Sequence, residues 1–161
     1  MSEDLQIARG SKTAQYTALL PQIRALMAGE TDGTANLANV AAALKEQFGW
    51  LWVGFYMVKE GELVVGPFQG PVACTRIRKG RGVCGTSWAE ERTLIVPDVE
   101  AFPGHIACSS LSRSEIVVPI WNDGVIIGVI DADSADLAAF DEEDRHWLEQ
   151  TVDAIPGVNA K

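Results

Sequence analysis

At Gly49 the hydrophobic period of the chain changes from about 3.6 residues to about 2. Before it, Tyr16, Leu19, Leu20, Ile23, Leu26 and Met27 recur at helical spacing and predict an amphipathic helix over 13–28. Pro21 falls inside that helix and should kink it or start a new one. The Thr31-Asp32-Gly33-Thr34 turn offers N-cap side chains for a second helix reaching about Gln47, with Leu37, Val40, Ala41 and Leu44 on one face. Beyond Gly49, Trp50, Trp52, Gly54 and Tyr56 share one face of a strand, and Leu51, Val53, Phe55 and Met57 the other. Lys59-Glu60-Gly61-Glu62 turns that strand back into Leu63–Phe68. Glu115–Trp121 and Val125–Ala132 form a second pair, joined by Asn122-Asp123-Gly124. Such short turns connect only antiparallel neighbours, so the chain predicts an antiparallel sheet.

Weaker signals fill the middle: a strand near 73–77, a helix over 83–92, a strand over 93–96 and a long loop over 98–114. Asp141 caps a last helix striped by Trp147, Leu148, Thr151, Val152 and Ile155 and closed by Pro156-Gly157. Helices at both ends can pack on one face of the sheet, which gives an α+β domain. At 161 residues, one domain over 13–157 behind a flexible leader, 1–12, is the simplest division. No apolar run reaches the roughly 18 residues that span a bilayer. The acidic start Met1-Ser2-Glu3-Asp4 lacks the apolar segment of a secretory signal, so a reducing, cytoplasmic setting is expected. A net charge of −9 disfavours nucleic acid as the partner.

All three cysteines, Cys74, Cys84 and Cys108, lie within one stretch. An odd count in a chain without an export signal argues against a structural disulfide framework. Inert buried thiols, metal ligands and redox chemistry remain open. Gly80-Arg81-Gly82-Val83-Cys84-Gly85 formally matches the dinucleotide-binding glycine pattern. The preceding strand alternates Arg76 and Arg78 with apolar residues, and the helix that follows is too short for a crossover, so the glycines are better read as a tight approach placing Cys84 at a helix start. Arg76, Arg78, Lys79 and Arg81 form a solvated strand face, or a field that favours nearby thiolates or an acidic partner. No cysteine pair has zinc-site spacing. His105, three residues before Cys108, is either half of a Cys–His pair or a surface histidine, and His146 reads as structural or exposed.

Along 125–133, Val125, Ile127, Val129, Asp131 and Asp133 alternate onto one strand face. An apolar face that ends in two carboxylates suggests the wall of a polar pocket, and Glu115 can join it from the neighbouring strand. Mutual repulsion would raise an apparent pKa there, which suits a proton donor or a receiver of an ammonium group. Trp50, Trp52 and Tyr56 read as core or as the wall of an apolar or cationic cage.

Taken together, the cysteine trio, Arg78–Gly85, Trp52-Val53-Gly54-Phe55-Tyr56 and Gly128-Val129-Ile130-Asp131-Ala132-Asp133 resemble the free methionine-(R)-sulfoxide reductases, stand-alone enzymes of GAF fold. The resemblance covers about residues 14–156. It implies a GAF-like α+β domain with terminal helices on one sheet face and a covered pocket on the other. It assigns Cys108 as the catalytic cysteine, Cys74 as the resolving cysteine that pairs with it in a disulfide, and Cys84 as an accessory thiol. Trp52 and Tyr56 become aromatic pocket walls, and Glu115, Asp131 and Asp133 the carboxylates that hold substrate and assist proton transfer. The substrate implied is free methionine-(R)-sulfoxide. The implied reductant is thioredoxin, itself fed by NADPH through thioredoxin reductase, with no bound organic cofactor or metal. A homodimer through the terminal helices is expected by analogy with other GAF domains. The competing expectation is a GAF module that binds a small ligand or senses thiol redox state without catalysis. For a disulfide to form, the loop 98–114 must move.

Overall fold

The computed structural model describes residues 4–158. Helices α1 (Lys12–Met27) and α2 (Gly33–Phe48) precede strands β1 (Trp52–Lys59), β2 (Glu62–Gln69) and β3 (Arg76–Arg78). Helix α3 (Gly82–Glu90), strand β4 (Leu94–Val96), a 3-10 turn (Val99–Ala101), strands β5 (Ser114–Asn122) and β6 (Val125–Ser134) and helix α4 (Glu142–Asp153) complete the chain. The strands form one antiparallel sheet in the order β3-β2-β1-β6-β5-β4.

Local chemistry accounts for the element ends. Asp32 caps α2 by accepting from the Ala35 amide at 2.8 Å, and Gly49 ends it in the left-handed conformation at φ 66°. Both hairpins close through two residues of positive φ, Glu60-Gly61 and Asp123-Gly124, which match the twist of the flanking strands. Asp141 and Asp144 form a reciprocal capping box at the start of α4. Pro21 neither ends nor restarts α1, which runs unbroken from Lys12 to Met27. Leu19, Leu20, Ile23 and Met27 bury that helix's inner face, and this packing outweighs one missing backbone hydrogen bond.

The sheet divides two cores. Helices α1, α2 and α4 cover one face, where Tyr16, Leu44, Val53, Phe55, Ile116, Ile130 and Leu148 are buried together. The other face carries Trp52, Tyr56, Leu63, Val117 and Val129, which cluster with Val83, Cys84 and Trp88 of α3 and with the loops before β3 and after the 3-10 turn. Of the expected leader, residues 1–3 lie outside the described residues. The amides of Gln6 and Ala8 donate to Gln22 and Gln47 at 2.8 and 3.0 Å, which ties this segment to α1 and α2. Among the described residues no helix is long and apolar enough to cross a membrane.

Candidate active site

Three neighbouring strands build the floor of a pocket on the α3 side. Their register places Trp52, Asp133 and Glu115 in one cross-strand row and Gly54, Asp131 and Val117 in the next. Side chains of one row project to the same face, so the three carboxyls meet. Glu115 and Asp131 are each only 6% exposed. Ser112 donates its hydroxyl to Asp133 Oδ1 at 2.7 Å, while Asp131 Oδ1 is buried without a hydrogen-bond partner.

Two expectations about strand faces are corrected. Trp50 does not share the Trp52–Tyr56 face. It precedes β1, stacks on Phe48 at 4.6 Å and meets Phe140 edge-on at 5.2 Å in the helical core. Alternation starts only where the ladder starts, and Leu51 turns to the pocket instead. Val125 and Ile127 likewise do not continue the Val129-Asp131-Asp133 face. Ile120 pairs with Gly128 and Trp121 with Ile126, so Ile127 is the extra residue of a β-bulge and packs on the helical side.

Burial dominates the electrostatics. It raises the pKa of Glu115 and Asp133 well above the carboxylate range, and the Asp131 charge adds to both. Asp131 is raised too, first by burial, with contacts from Glu115, Cys84 and Asp133 opposing. A contact between two carboxyls is a hydrogen bond only when one keeps its proton, so the cluster holds protons that isolated carboxylates would have lost. Cys84, 3% exposed at the start of α3, lies 3.9 Å from Glu115 Oε1, and burial beside these acids pushes its thiol well up. Ligand atoms of Cys84, Glu115 and Asp131 lie within 4.8 Å of one another, close enough to hold a cation if they ionised together. Their raised pKa values work against that ionisation.

At the mouth, Cys74 and Cys108 are joined by a disulfide, with their Cα atoms 5.4 Å apart. Cys74 lies just before β3, in a segment expected to be strand, and its carbonyl accepts from the Tyr56 hydroxyl at 2.8 Å. Trp52 donates its indole N–H to the Pro71 carbonyl at 3.1 Å, and its ring stacks on Tyr56 with centroids 5.9 Å apart. The aromatic wall therefore also fixes the segment that carries Cys74.

The GAF domain family matches residues 32–155. A protein of Dictyostelium discoideum called GAF domain-containing protein A is 67% identical over 151 residues, which cover 93% of this chain and 96% of that protein. The free methionine-R-sulfoxide reductase of Escherichia coli is 46% identical, over 93% of this chain and 92% of its own. The X-ray structure of free methionine-R-sulfoxide reductase from Neisseria meningitidis in complex with its substrate superposes with a TM-score of 0.94 at 57% identity, covering 96% of this chain and 93% of that one. This chain belongs to the GAF-domain free methionine-R-sulfoxide reductases. It is accordingly an oxidoreductase.

In this member of the reductase family all eight residues to which the resemblance gave a role line one cavity or close its mouth: Trp52, Tyr56, Cys74, Cys84, Cys108, Glu115, Asp131 and Asp133. The glycine pattern around Cys84 serves packing. A Cβ on Gly85 would come within 2.4 Å of the Arg78 carbonyl oxygen, and Gly80 donates its amide to the Gly85 carbonyl at 2.8 Å. His146 is exposed on α4 and contacts Gln150 at 2.8 Å. His105 is on the pocket wall, with Nδ1 buried and unpartnered and its pKa lowered by burial. Sequence reasoning missed Leu51, Val72, Ile106 and Ser112 as lining residues. Ser112 carries no signal in the sequence, because only the fold brings its loop against the end of β6.

Proposed function

We propose that this chain reduces free L-methionine-(R)-sulfoxide to L-methionine, with Cys108 as nucleophile, Cys74 as resolving thiol and a thioredoxin-type dithiol as reductant. The observation that carries the reading is a sulfur–sulfur bond between Cys74 and Cys108 at the mouth of a cavity lined by the buried carboxyls of Glu115 and Asp131 and the part-buried one of Asp133. Attack of the Cys108 thiolate on the sulfoxide sulfur needs the oxygen protonated, and carboxylic acids that keep their protons are suitable donors. The oxygen is left on Cys108 as a sulfenic acid and methionine is released. The Cys74 thiol then displaces that oxygen as water and forms the disulfide. An external dithiol restores both thiols by exchange. Sulfoxide and dithiol thus become sulfide, disulfide and water. The unpartnered Asp131 Oδ1 supports an anionic subsite for the ammonium of the free amino acid, and Trp52 and Tyr56 suit its thioether end. The cytoplasmic setting and the homodimer through the terminal helices belong to the same proposal, and sedimentation of the purified protein decides the latter.

The decisive assay follows NADPH consumption with thioredoxin, thioredoxin reductase and either epimer of free methionine sulfoxide. Turnover confined to the R epimer is expected. Absence of turnover, or equal rates on both epimers, would leave the non-catalytic GAF module as the better account.

A further inference from the structure

The two segments that meet in the Cys74–Cys108 bond share an unusual charge pattern. The chain as a whole carries a net charge of −9. Yet from Leu63 to Ala89 there is no acidic residue, while Arg76, Arg78, Lys79 and Arg81 supply four cations. From Ala101 to Ser114 there is again no acid, and Arg113 adds another cation. Of the carboxyls that share the pocket with Cys108, Glu115 and Asp131 are withdrawn from solvent, each 6% exposed. Arg78 and Arg76 have side chains 85% and 52% exposed, and their ion-pair partner Glu62 stands between them at 4.0 and 3.3 Å. Arg81 and Arg113 are exposed. Apolar residues flank the same bond. Val72, two residues before Cys74, is 86% exposed, and Leu111, three residues after Cys108, is 60% exposed. They are two of the five exposed large hydrophobic residues among the described residues.

We infer that the two segments joined by the disulfide, which expose Val72 and Leu111 and carry Arg76, Arg78, Arg81 and Arg113, form the docking surface for the protein that reduces the enzyme. The partner it fits is a dithiol protein whose reactive thiol sits in an apolar patch bordered by carboxylates. Exposed apolar side chains beside a reactive bond exclude water from the exchange, and a basic border on an acidic protein steers an acidic partner to the one place where electrons are needed. In the exchange, the partner's thiolate attacks one sulfur of the Cys74–Cys108 bond and the other leaves as a thiolate that takes up a proton. The partner's second thiol then closes its own disulfide and releases the first cysteine as a thiol. Two electrons pass to the enzyme, and the partner is oxidised. The docking surface rests on the proposed reductase cycle.

The test compares two reductants on the Arg78→Glu/Arg81→Glu double variant and, separately, on Leu111→Asp. With thioredoxin, thioredoxin reductase and NADPH, the double variant should lose about tenfold in kcat/KM for thioredoxin, and the wild-type salt dependence should flatten. Leu111→Asp should lose a comparable factor at all salt concentrations. With dithiothreitol, which needs no docking surface, both variants should form methionine at the wild-type rate. Unchanged kcat/KM for thioredoxin, or an equal loss with dithiothreitol, overturns the docking surface while leaving the reductase reading standing. No methionine from the wild type with either reductant overturns both.

Discussion

Each thiol answers to a different environment, so their substitutions should separate. Cys108→Ser should abolish methionine formation even in a single turnover of pre-reduced enzyme. Cys74→Ser should release about one methionine per enzyme and then stall, because the sulfenic acid has no partner thiol. Methionine counted by chromatography after mixing with substrate distinguishes the two. Burial, with Asp131, Glu115 and Asp133 beside it, raises the Cys84 pKa and favours the unreactive thiol over the thiolate. Iodoacetamide should therefore leave it unlabelled in the native oxidised protein and modify it after denaturation, as read by peptide mass. On the proposed mechanism, the carboxyl cluster should set the pH behaviour of the chemical step. A proton donor with a raised pKa works below that pKa, so kcat/KM should fall as pH rises through the apparent values of the cluster. Among Glu115→Gln, Asp131→Asn and Asp133→Asn, the variant lacking the donor should lose about 100-fold in kcat. A variant lacking only an ammonium contact should show its loss in KM.

The elements are held by a few local devices whose removal has predictable consequences. Asp144 is 1% exposed and accepts from the Tyr16 hydroxyl and Lys12 Nζ, both at 2.6 Å, and from the Asp141 amide at 2.9 Å. It thereby joins α1 to the start of α4. Asp144→Ala leaves three donors without that acceptor and should destabilise the fold by about 3 kcal/mol, measured by urea denaturation. On the opposite sheet face, Gly85→Ala would drive a methyl group against the Arg78 carbonyl and push α3 away from β3. Both the stability and the placement of Cys84 should suffer, whereas a glycine kept only for flexibility would tolerate alanine in a helix.

At the scale of the whole molecule, the disulfide and the buried acids make stability depend on redox state and on pH. The bond spans 34 residues, and chain-entropy arguments give such a loop about 4 kcal/mol. The oxidised protein should therefore melt at a higher temperature than the protein reduced with dithiothreitol, as calorimetry will report. Glu115, Asp131 and Asp133 have folded pKa values raised above the roughly 4 of an unfolded chain. The folded state binds more protons between those values, so the cluster's contribution is complete below about pH 4 and is lost as pH rises through the folded values. Asp131→Asn should make this slope shallower, because it removes the charge that opposes ionisation of its neighbours.

Period and punctuation determined the elements. Gly49, Asp32, the two positive-φ hairpin turns and the Asp141 cap act within a few residues, so their effects were legible in the chain order. The same holds for the carboxyl-ended face of β6 and, through family resemblance, for the residues of the site. What no local signal contained was the cross-strand register. The bulge at Ile127, the departure of Trp50 into the helical core and the approach of Ser112 to Asp133 all follow from pairing between distant segments. Only that pairing removed three acids from water together and brought Cys74 beside Cys108, because desolvation and the meeting of two sulfurs are properties of neighbours in space, not in sequence.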